Sequence, residues 1–460
     1  MATTYSQTTF ADAKDRLASL LNDEQKVFWT DTELGLYIIE ALRYWGLTAQ
    51  YWRDSAKFET VAGQAMYDLT TDVTDVTGST LMQSLTVTDR DLIVDLEYNL
   101  IEPITTNWAL GWQGSEMFTL TEIANLLSLG RDDILRQSGA VAIGAQYVAA
   151  GGLERINLNQ DTIHILRMSV QEDGSTSILP MWPIDYYQAQ AYNQTAFPAT
   201  GRPNAYITTY TPTLAVDIYP SPRTQSVLRL DVVESGAEFT PEVAASVVGL
   251  PDDACWIVKY RGMDDLLSGD GLSRATELSQ YARQRWQDGL DLLSQYQSLM
   301  WSTINGKRMT ISSLAQLSAQ RPDWEGSSGT PRSLHMLNWN RFAVYPVPDG
   351  VYSIELEVVK KAPIPSDDAD YIQVGREQMQ AIYDYAQHLA LLKCQGVEFT
   401  QSYGLLESVT EAAKEHMAAL AGSAINWVQQ QRLTQEDRLM RPYRRRELVA
   451  TADAMAKENG

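Results

Sequence analysis

The chain has 460 residues, 44% of them apolar and 20% charged, and its net charge is −22. That length leaves room for about three domains with sizeable cores, and that charge excludes nucleic acid and acidic membranes as ligands of the average surface. Cys255 and Cys394 form no metal or disulfide pattern, the opening MATTYSQTTFADAK has no apolar leader core, and no run approaches the ~18 apolar residues of a membrane span; a soluble, unsecreted protein with no membrane partner is expected.

In chain order, the first predicted element is a helix carrying Phe10, Ala13, Leu17, Leu20 and Leu21 on one face, broken at Asn22-Asp23. Thr30-Asp-Thr-Glu33 reads as a capping box, opening a second helix with Leu34, Tyr37, Ile38, Ala41, Leu42 and Trp45 on one stripe. Residues 1–57 are therefore expected as an N-terminal helical hairpin. The period then falls to two: FETVAGQAMYDL (58–69) reads as two short strands around Ala62-Gly63, and LTVTDRDLIVDLEYNLI (85–101) continues in β style. Thr119-Leu-Thr-Glu122 predicts one helix, 119–138, stopped by Gly139, inside a β-rich region of 58–182.

The remainder contains a repeat. IYPSPRTQSVLRLDVV (218–233) and VYPVPDGVYSIELEVV (344–359) align at an offset of 126 (345 − 219), each preceded by a Gly-x-Pro turn at Gly201 or Gly329. Each stretch predicts an alternating hairpin with Tyr-Pro-x-Pro at its turn, followed by long helical stretches near 251–299 and 375–421, where Ile257/Ile382, Tyr260/Tyr385, Leu266/Leu391, Leu267/Leu392 and Gly271/Gly396 match at 125 (382 − 257). The expected fold is α+β: a helical bundle with projecting β-hairpins or a β-sandwich, containing a duplicated hairpin-plus-helix-pair module, copy one at 183–300 and copy two at 301–422.

Chemistry-bearing motifs are sparse. His164, His335, His388 and His416 are scattered without ligand spacing and read as structural. Gly269-Asp-Gly271-Leu-Ser-Arg274 follows a helical stretch rather than a strand, and Gly306-Lys307 lacks the rest of a phosphate-binding loop. Asp252-Asp253, Asp264-Asp265 and Asp367-Asp368 could supply the two acids of a glycan hydrolase, but acids after Pro251 suit a helix start equally. No enzyme activity and no cofactor are expected. The exception to the acidic balance is 423–460, a polar tail whose stretch from Arg432 to Arg446 holds six Arg against Glu436 and Asp437, or +4. It reads either as a solvated terminus or as a segment that folds onto an acidic partner.

The opening residues resemble tailed-bacteriophage head-to-tail adaptor (connector, neck) proteins. The resemblance rests on Leu17 to Asp23, then Trp29-Thr-Asp31-Thr-Glu33-Leu34, Tyr37, Ile38, Glu40, Ala41 and Arg43, then Tyr67-Asp-Leu69; Gly201, Pro203, Tyr206, Pro220 and Pro222 add to it. It covers 10–70 well and 200–300 moderately, and the second module is longer than many adaptors possess. The resemblance implies a homo-oligomeric ring, usually dodecameric, bound to a portal protein, receiving a tail or nozzle protein, and passing genomic DNA without gripping it. It further implies assembly in the host cytoplasm, a place in the virion neck, and portal docking through the tail, with Arg432, Arg438, Arg441, Tyr443, Arg444, Arg445 and Arg446 as contact residues. The alternatives are a virion-associated glycan hydrolase built on the paired Asp residues and a tail or receptor-binding structural protein, the latter disfavoured by the long helices.

Overall fold

The computed structural model describes residues 8–75, 85–100, 118–175, 178–188, 200–211, 213–239, 248–269, 275–296, 298–394 and 396–420. The fold is mixed α+β. Helix α1 (Phe10–Leu20) starts at Thr9, whose hydroxyl accepts from the Asp12 amide, and gives way to left-handed Asn22 (φ 57). Asp23 then accepts from the amides of Val27, Phe28 and Trp29, so the break is a carboxylate-capped loop. Helix α2 (Asp31–Ala49) opens on a complete Thr30–Glu33 capping box.

Helix α3 (Asp89–Asn99) corrects the β reading of 85–101. Thr88 and Asp91 cap it reciprocally, and Leu92, Ile93 and Leu96 are buried at helical spacing. The β-branched residues around Val87 mask that signal in the sequence. Helix α4 (Leu120–Ser138) begins at Thr119 and ends at left-handed Gly139. The later helices are α5 (Cys255–Ser268), α6 (Thr276–Gln295), α7 (Leu314–Gln320), α8 (Arg376–Leu391), α9 (Gly396–Gln401) and α10 (403–420). One apolar core draws on every helix but α7.

The strands form two β-layers beside this core. A nearly closed seven-stranded sheet comprises β4 (Ile143–Ala149), β5 (Arg155–Asn157), β6 (Thr162–Glu172), β7 (Ile178–Pro183), β9 (Ala205–Thr211), β10 (Thr213–Tyr219) and β12 (Ser226–Glu234), in the order β4-β12-β6-β7-β9-β10-β5. Ala149, Ile156, Met168, Met181, Tyr206, Val216 and Leu230, one from each strand, meet in its core. The second layer packs two sheets face to face. One has β1 (Arg53–Glu59), β3 (Thr74–Asp75), β13 (Leu299–Ile304), β14 (Lys307–Arg308) and β20 (Ser353–Val359); the other has β2 (Met66–Asp68), β15 (Thr310–Ser313), β17 (Ser333–Met336) and β18 (Arg341–Tyr345). Phe58, Tyr67, Leu299, Leu334, Phe342 and Leu356 fill the space between them. In SIELEVV, Ile354, Leu356 and Val358 point inward while Glu355 and Glu357 do not, the period of two that the pleat imposes.

The hairpin expected around Tyr-Pro-x-Pro is absent: β10 pairs with β9 and β5, and β12 pairs with β4 and β6, so the strands flanking the motif never meet. The same holds for β18 and β20. Proline cannot donate to a ladder. Each motif instead lays two residues parallel to a short strand, β11 (Ser221–Pro222) on β8 (Thr200–Gly201) and β19 (Val347–Pro348) on β16 (Ser328–Gly329), while the chain crosses between strand sets. A hairpin comes instead just before each motif, at β9–β10 and β17–β18.

Both layers are built to one register. β20 lies between β13 and β1 as β12 lies between β6 and β4. Ser353 pairs with Glu59 where Val227 pairs with Val148, and Ile354 with Ile304 where Leu228 pairs with Val170. The ladder skips one residue at the same place, between Leu299 and Trp301 and between Ile165 and Arg167. Phe342 faces Tyr67 as Val216 faces Ile156. Gly63 and Gly152, both at φ 79, donate to the carbonyls of Pro348 and Pro222. The leading helices agree too: α1 and α3 have 11 residues each, α2 and α4 have 19, and all four carry a threonine N-cap. One element order therefore occurs twice, continuously over 88–295 (the inner unit) and in two pieces, 9–75 with 299–420 (the outer unit). The strands at 53–68, spanning the expected boundary at 57, join 299–359 in one layer, and the boundaries at 182 and 300 fall within β7 and β13.

Candidate functional site

The adaptor-like residues build a seam between the start and the end of the outer unit. The Trp29 indole is buried and donates to the Ala390 carbonyl at 2.9 Å. Lys393 donates to Glu33 and to the Phe28 carbonyl, each at 2.6 Å. Glu33 thus closes the α2 cap and holds Lys393, just past the end of α8. Tyr67 stacks on Phe342 and lies tilted against Phe58, and its hydroxyl accepts from the Val61 amide at 2.9 Å.

A charged cluster joins the two units deeper in the helical core. Lys259 of α5, fully buried, reaches Glu40 of α2 and, at 3.0 Å, Asp95 of α3. The hydroxyls of Tyr260 and Tyr385 donate to Glu40 at 3.0 and 3.2 Å. Burial works against the charge of Lys259, but the two carboxylates outweigh it and hold its pKa above the usual lysine value. Burial, with Glu40 adding repulsion, pushes Asp95 upward, as expected where two acids share one base. Arg285 lies against the rings of Tyr44, Trp256, Tyr260 and Tyr385 and donates to the Tyr385 hydroxyl at 2.5 Å. The sequence signal was a single charge inside an apolar stripe: Glu40 in LYIIEAL and Lys259 in CWIVKY.

The acidic pairs are each tied into the scaffold. Asp252 accepts from Thr86 and Lys361; burial opposes its charge, but these donors win and hold its pKa low. Asp253 accepts from the Ala362 backbone amide, and burial pushes it up to about 7. Asp264 binds Ser279 and Arg283, Asp265 binds Arg261, and Asp368 binds Lys14. His388 sits between Tyr281 and Ser402, and burial lowers it to about 3, so it is a neutral core residue. His335 bridges Ser312 and Ser333, and His416 packs on Trp45 and Tyr51. Among the described residues no group of three or more His, Cys, Asp or Glu is arranged to hold a metal, and no helix is long and apolar enough to cross a membrane.

The surface carries a groove of about 780 Å³ between α6 and the start of α10. The seven tail residues expected to dock, Arg432, Arg438, Arg441, Tyr443, Arg444, Arg445 and Arg446, lie outside the described residues, as does Gly271. No protein-family model matches the chain, and no curated protein matches it.

Proposed function

We propose that the protein is a structural head-to-tail adaptor of a tailed phage: a homo-oligomeric ring that sits below a portal protein, continues the DNA channel and offers a platform to a tail or nozzle protein. The observation that carries the reading is the place of the adaptor-like residues. Asp23, Trp29, Thr30 and Glu33 cap the first helices and lock them onto the last ones through Ala390 and Lys393. These residue types at this spacing serve a scaffold, which is what the motif supplies in the family it resembles. In this reading the inner and outer units are copies of one module, a helical bundle with a projecting β-layer, and the second copy adds a tier to the ring. The Arg432–Arg446 stretch engages the portal.

A conduit must let duplex slide. Each phosphate held by a cation adds affinity through counterion release, with log K falling by ~0.9 per log unit of salt per contact. An acidic chain avoids such contacts, since it repels duplex within a Debye length of ~8 Å at physiological salt. The test mixes purified protein with portal and images the product by negative stain, alongside a duplex gel shift at ~0.15 M salt. Rings on the portal and no duplex shift are expected. Protein that stays off the portal overturns the adaptor reading, and tight, salt-sensitive duplex binding overturns the passive channel.

A further inference from the structure

The groove between α6 and α10 combines three features. Its walls are aromatic: Tyr281, Phe399 and Tyr403 line it, with centroids 5.0 Å apart for Tyr281–Phe399 and 5.4 Å for Phe399–Tyr403. Its rim is acidic: Glu277, Asp288 and Glu407 line it too. Its mouth leaves apolar surface open, with Tyr403 39% and neighbouring Val397 68% exposed. Among the described residues, the one cation on the lining is Arg285, and it is committed elsewhere: it is 2% exposed, stacked among four rings, bonded to Tyr385 and paired with Asp288 at 3.8 Å. Aromatic faces beside carboxylates are the surroundings that suit a guanidinium, through cation–π attraction and charge-assisted hydrogen bonds.

We propose that this groove seats an arginine-rich segment, and that the segment is the chain's own Arg432–Arg446 stretch. Charge decides the occupant. That stretch is +4 in a chain of −22, so the rest of the molecule carries −26 (−22 − 4) and has no other basic run of that density. Reach allows it. The described chain ends at 420, at the far end of α10 from the groove. The helix 403–420 rises roughly 26 Å, and residues 421–431 extended span about 36 Å, enough to return along it. Arg441, Arg444, Arg445 and Arg446 supply guanidinium forks, and Tyr443 a ring for the aromatic wall. The inference stands apart from the ring reading and needs no portal; it describes the free chain.

Limited trypsin digestion of the full chain tests it. Trypsin cuts after Arg438, Arg444, Arg445 and Arg446 only when the stretch leaves the groove, so the rate reports the open fraction. Cleavage in wild type at low salt should be slower than in Glu277→Gln/Glu407→Gln by about tenfold or more, the equivalent of one decade in the docking equilibrium. The two should converge at ~1 M salt, where the Debye length is about 3 Å. Thermal melts confirm that the variant is folded; if it is not, Tyr403→Ala takes its place, and the salt response of wild type alone is an independent measure. Equal rates in wild type and variant overturn the proposal. Protection that vanishes on dilution shows the groove filled by another copy and overturns the own-chain seat. Protection found only after portal is added overturns it as well.

Discussion

The inner and outer units keep the same ladder, bulge and glycine turn, yet they treat equivalent surfaces in opposite ways. Strand β1 of the outer unit reads RDSAKFE and is covered by β3, Ala56 on Asp75 and Lys57 on Thr74. Its counterpart β4 reads IGAQYVA, has no charge, and ends the seven-stranded sheet with Ile143 46% and Val148 60% exposed. The helices diverge likewise. Thirteen of the 19 residues of α2 are buried against seven of 19 in α4, because α2 packs against both α8 of its own unit and α5 of the other. Glu40 sits at the centre of that contact; the position equivalent in α4 (129 − 40, the same 89 as 152 − 63) is Leu129, 62% exposed. What the register conserves is backbone geometry, since a bulge or a left-handed turn cannot shift without moving every side chain to the other face. What faces the outside of each ladder is free to differ, and the difference concentrates where the units touch.

The largest effect should come from breaking that contact. Lys259→Met leaves Glu40 and Asp95 buried with no base between them, and removing one partner of a buried ion pair costs about 3–5 kcal/mol. The equivalent position in α8 is Asp384 (384 − 259, or 125), which is half-buried and bonded to Gln380 and Ser408. Asp384→Asn should cost about 0.5 kcal/mol or less. Urea unfolding of both variants gives the measurement. A small cost at Lys259 would mean that the units hold together by apolar packing alone, and a large one at Asp384 would erase the asymmetry.

Much of this comparison was legible in the sequence, and the reasons for the rest are physical. The Thr30–Glu33 box, the stop at Gly139 and the alternation of SIELEVV depend on neighbours within a few residues, and each stands where local chemistry puts it. The α3 helix was hidden because Val87, Ile93 and Val94 mimic a strand, while its Thr88–Asp91 cap used Asp rather than Glu. Pairing was not legible at all. Nothing local says that 53–68 joins 299–359 or that the Tyr-Pro-x-Pro motif crosses between strand sets, because the partner strands, β5 for β10 and β1 for β20, lie far from the motif in sequence. The sequence repeat was visible only after Gly201, where the apolar alternation is strong; over 88–157 the match to 9–68 lies in caps, turns and lengths rather than in residue identity. Of the candidate site, the adaptor-like helix was readable, and the Glu40–Lys259–Asp95 cluster was not, since a lone charge in an apolar stripe gives no hint of its partner.

A second asymmetry should appear as pH dependence. Asp253 begins the inner unit's closing helices, with its carboxylate beside Gly46 and under Ala362 of the outer unit. The residue matching it in the outer unit (378 − 253, or 125) is Gln378, which does not titrate. Burial lifts Asp253 to about 7, with Asp252 adding repulsion and Ala362, Arg43 and Lys361 opposing. The folded state therefore binds the proton more tightly than the unfolded chain, whose ordinary value is 3.8. Stability from this group is fully present below about pH 4, declines between about 4 and 7, and is lost above 7. Asp253→Asn keeps the neutral shape and should flatten that part of the profile, raising stability at pH 8 by roughly 2–4 kcal/mol. Denaturation midpoints at pH 5 and pH 8 for both proteins decide it. An unchanged difference between the two pH values would locate the dependence elsewhere.

The smallest effect is the sharpest test of equivalence. Gly63 and Gly152 adopt φ 79, and each donates its amide to the carbonyl of the second proline of a Tyr-Pro-x-Pro motif, at 2.8 and 2.7 Å. A Cβ built on either meets nothing within 4 Å. Alanine is therefore penalised for backbone conformation alone, with no clash and no cavity to confuse the comparison. The left-handed region costs an L-residue about 1–2 kcal/mol. Gly63→Ala and Gly152→Ala should each lower stability by that amount and agree to within ~0.5 kcal/mol, and the double variant should show their sum, since distant sites without shared partners add to about that precision. Asparagine, which tolerates this region better, should recover part of the loss at both positions. If one glycine accepts alanine freely while the other does not, the two turns are held by different constraints, and the register that the units share does not extend to their tips.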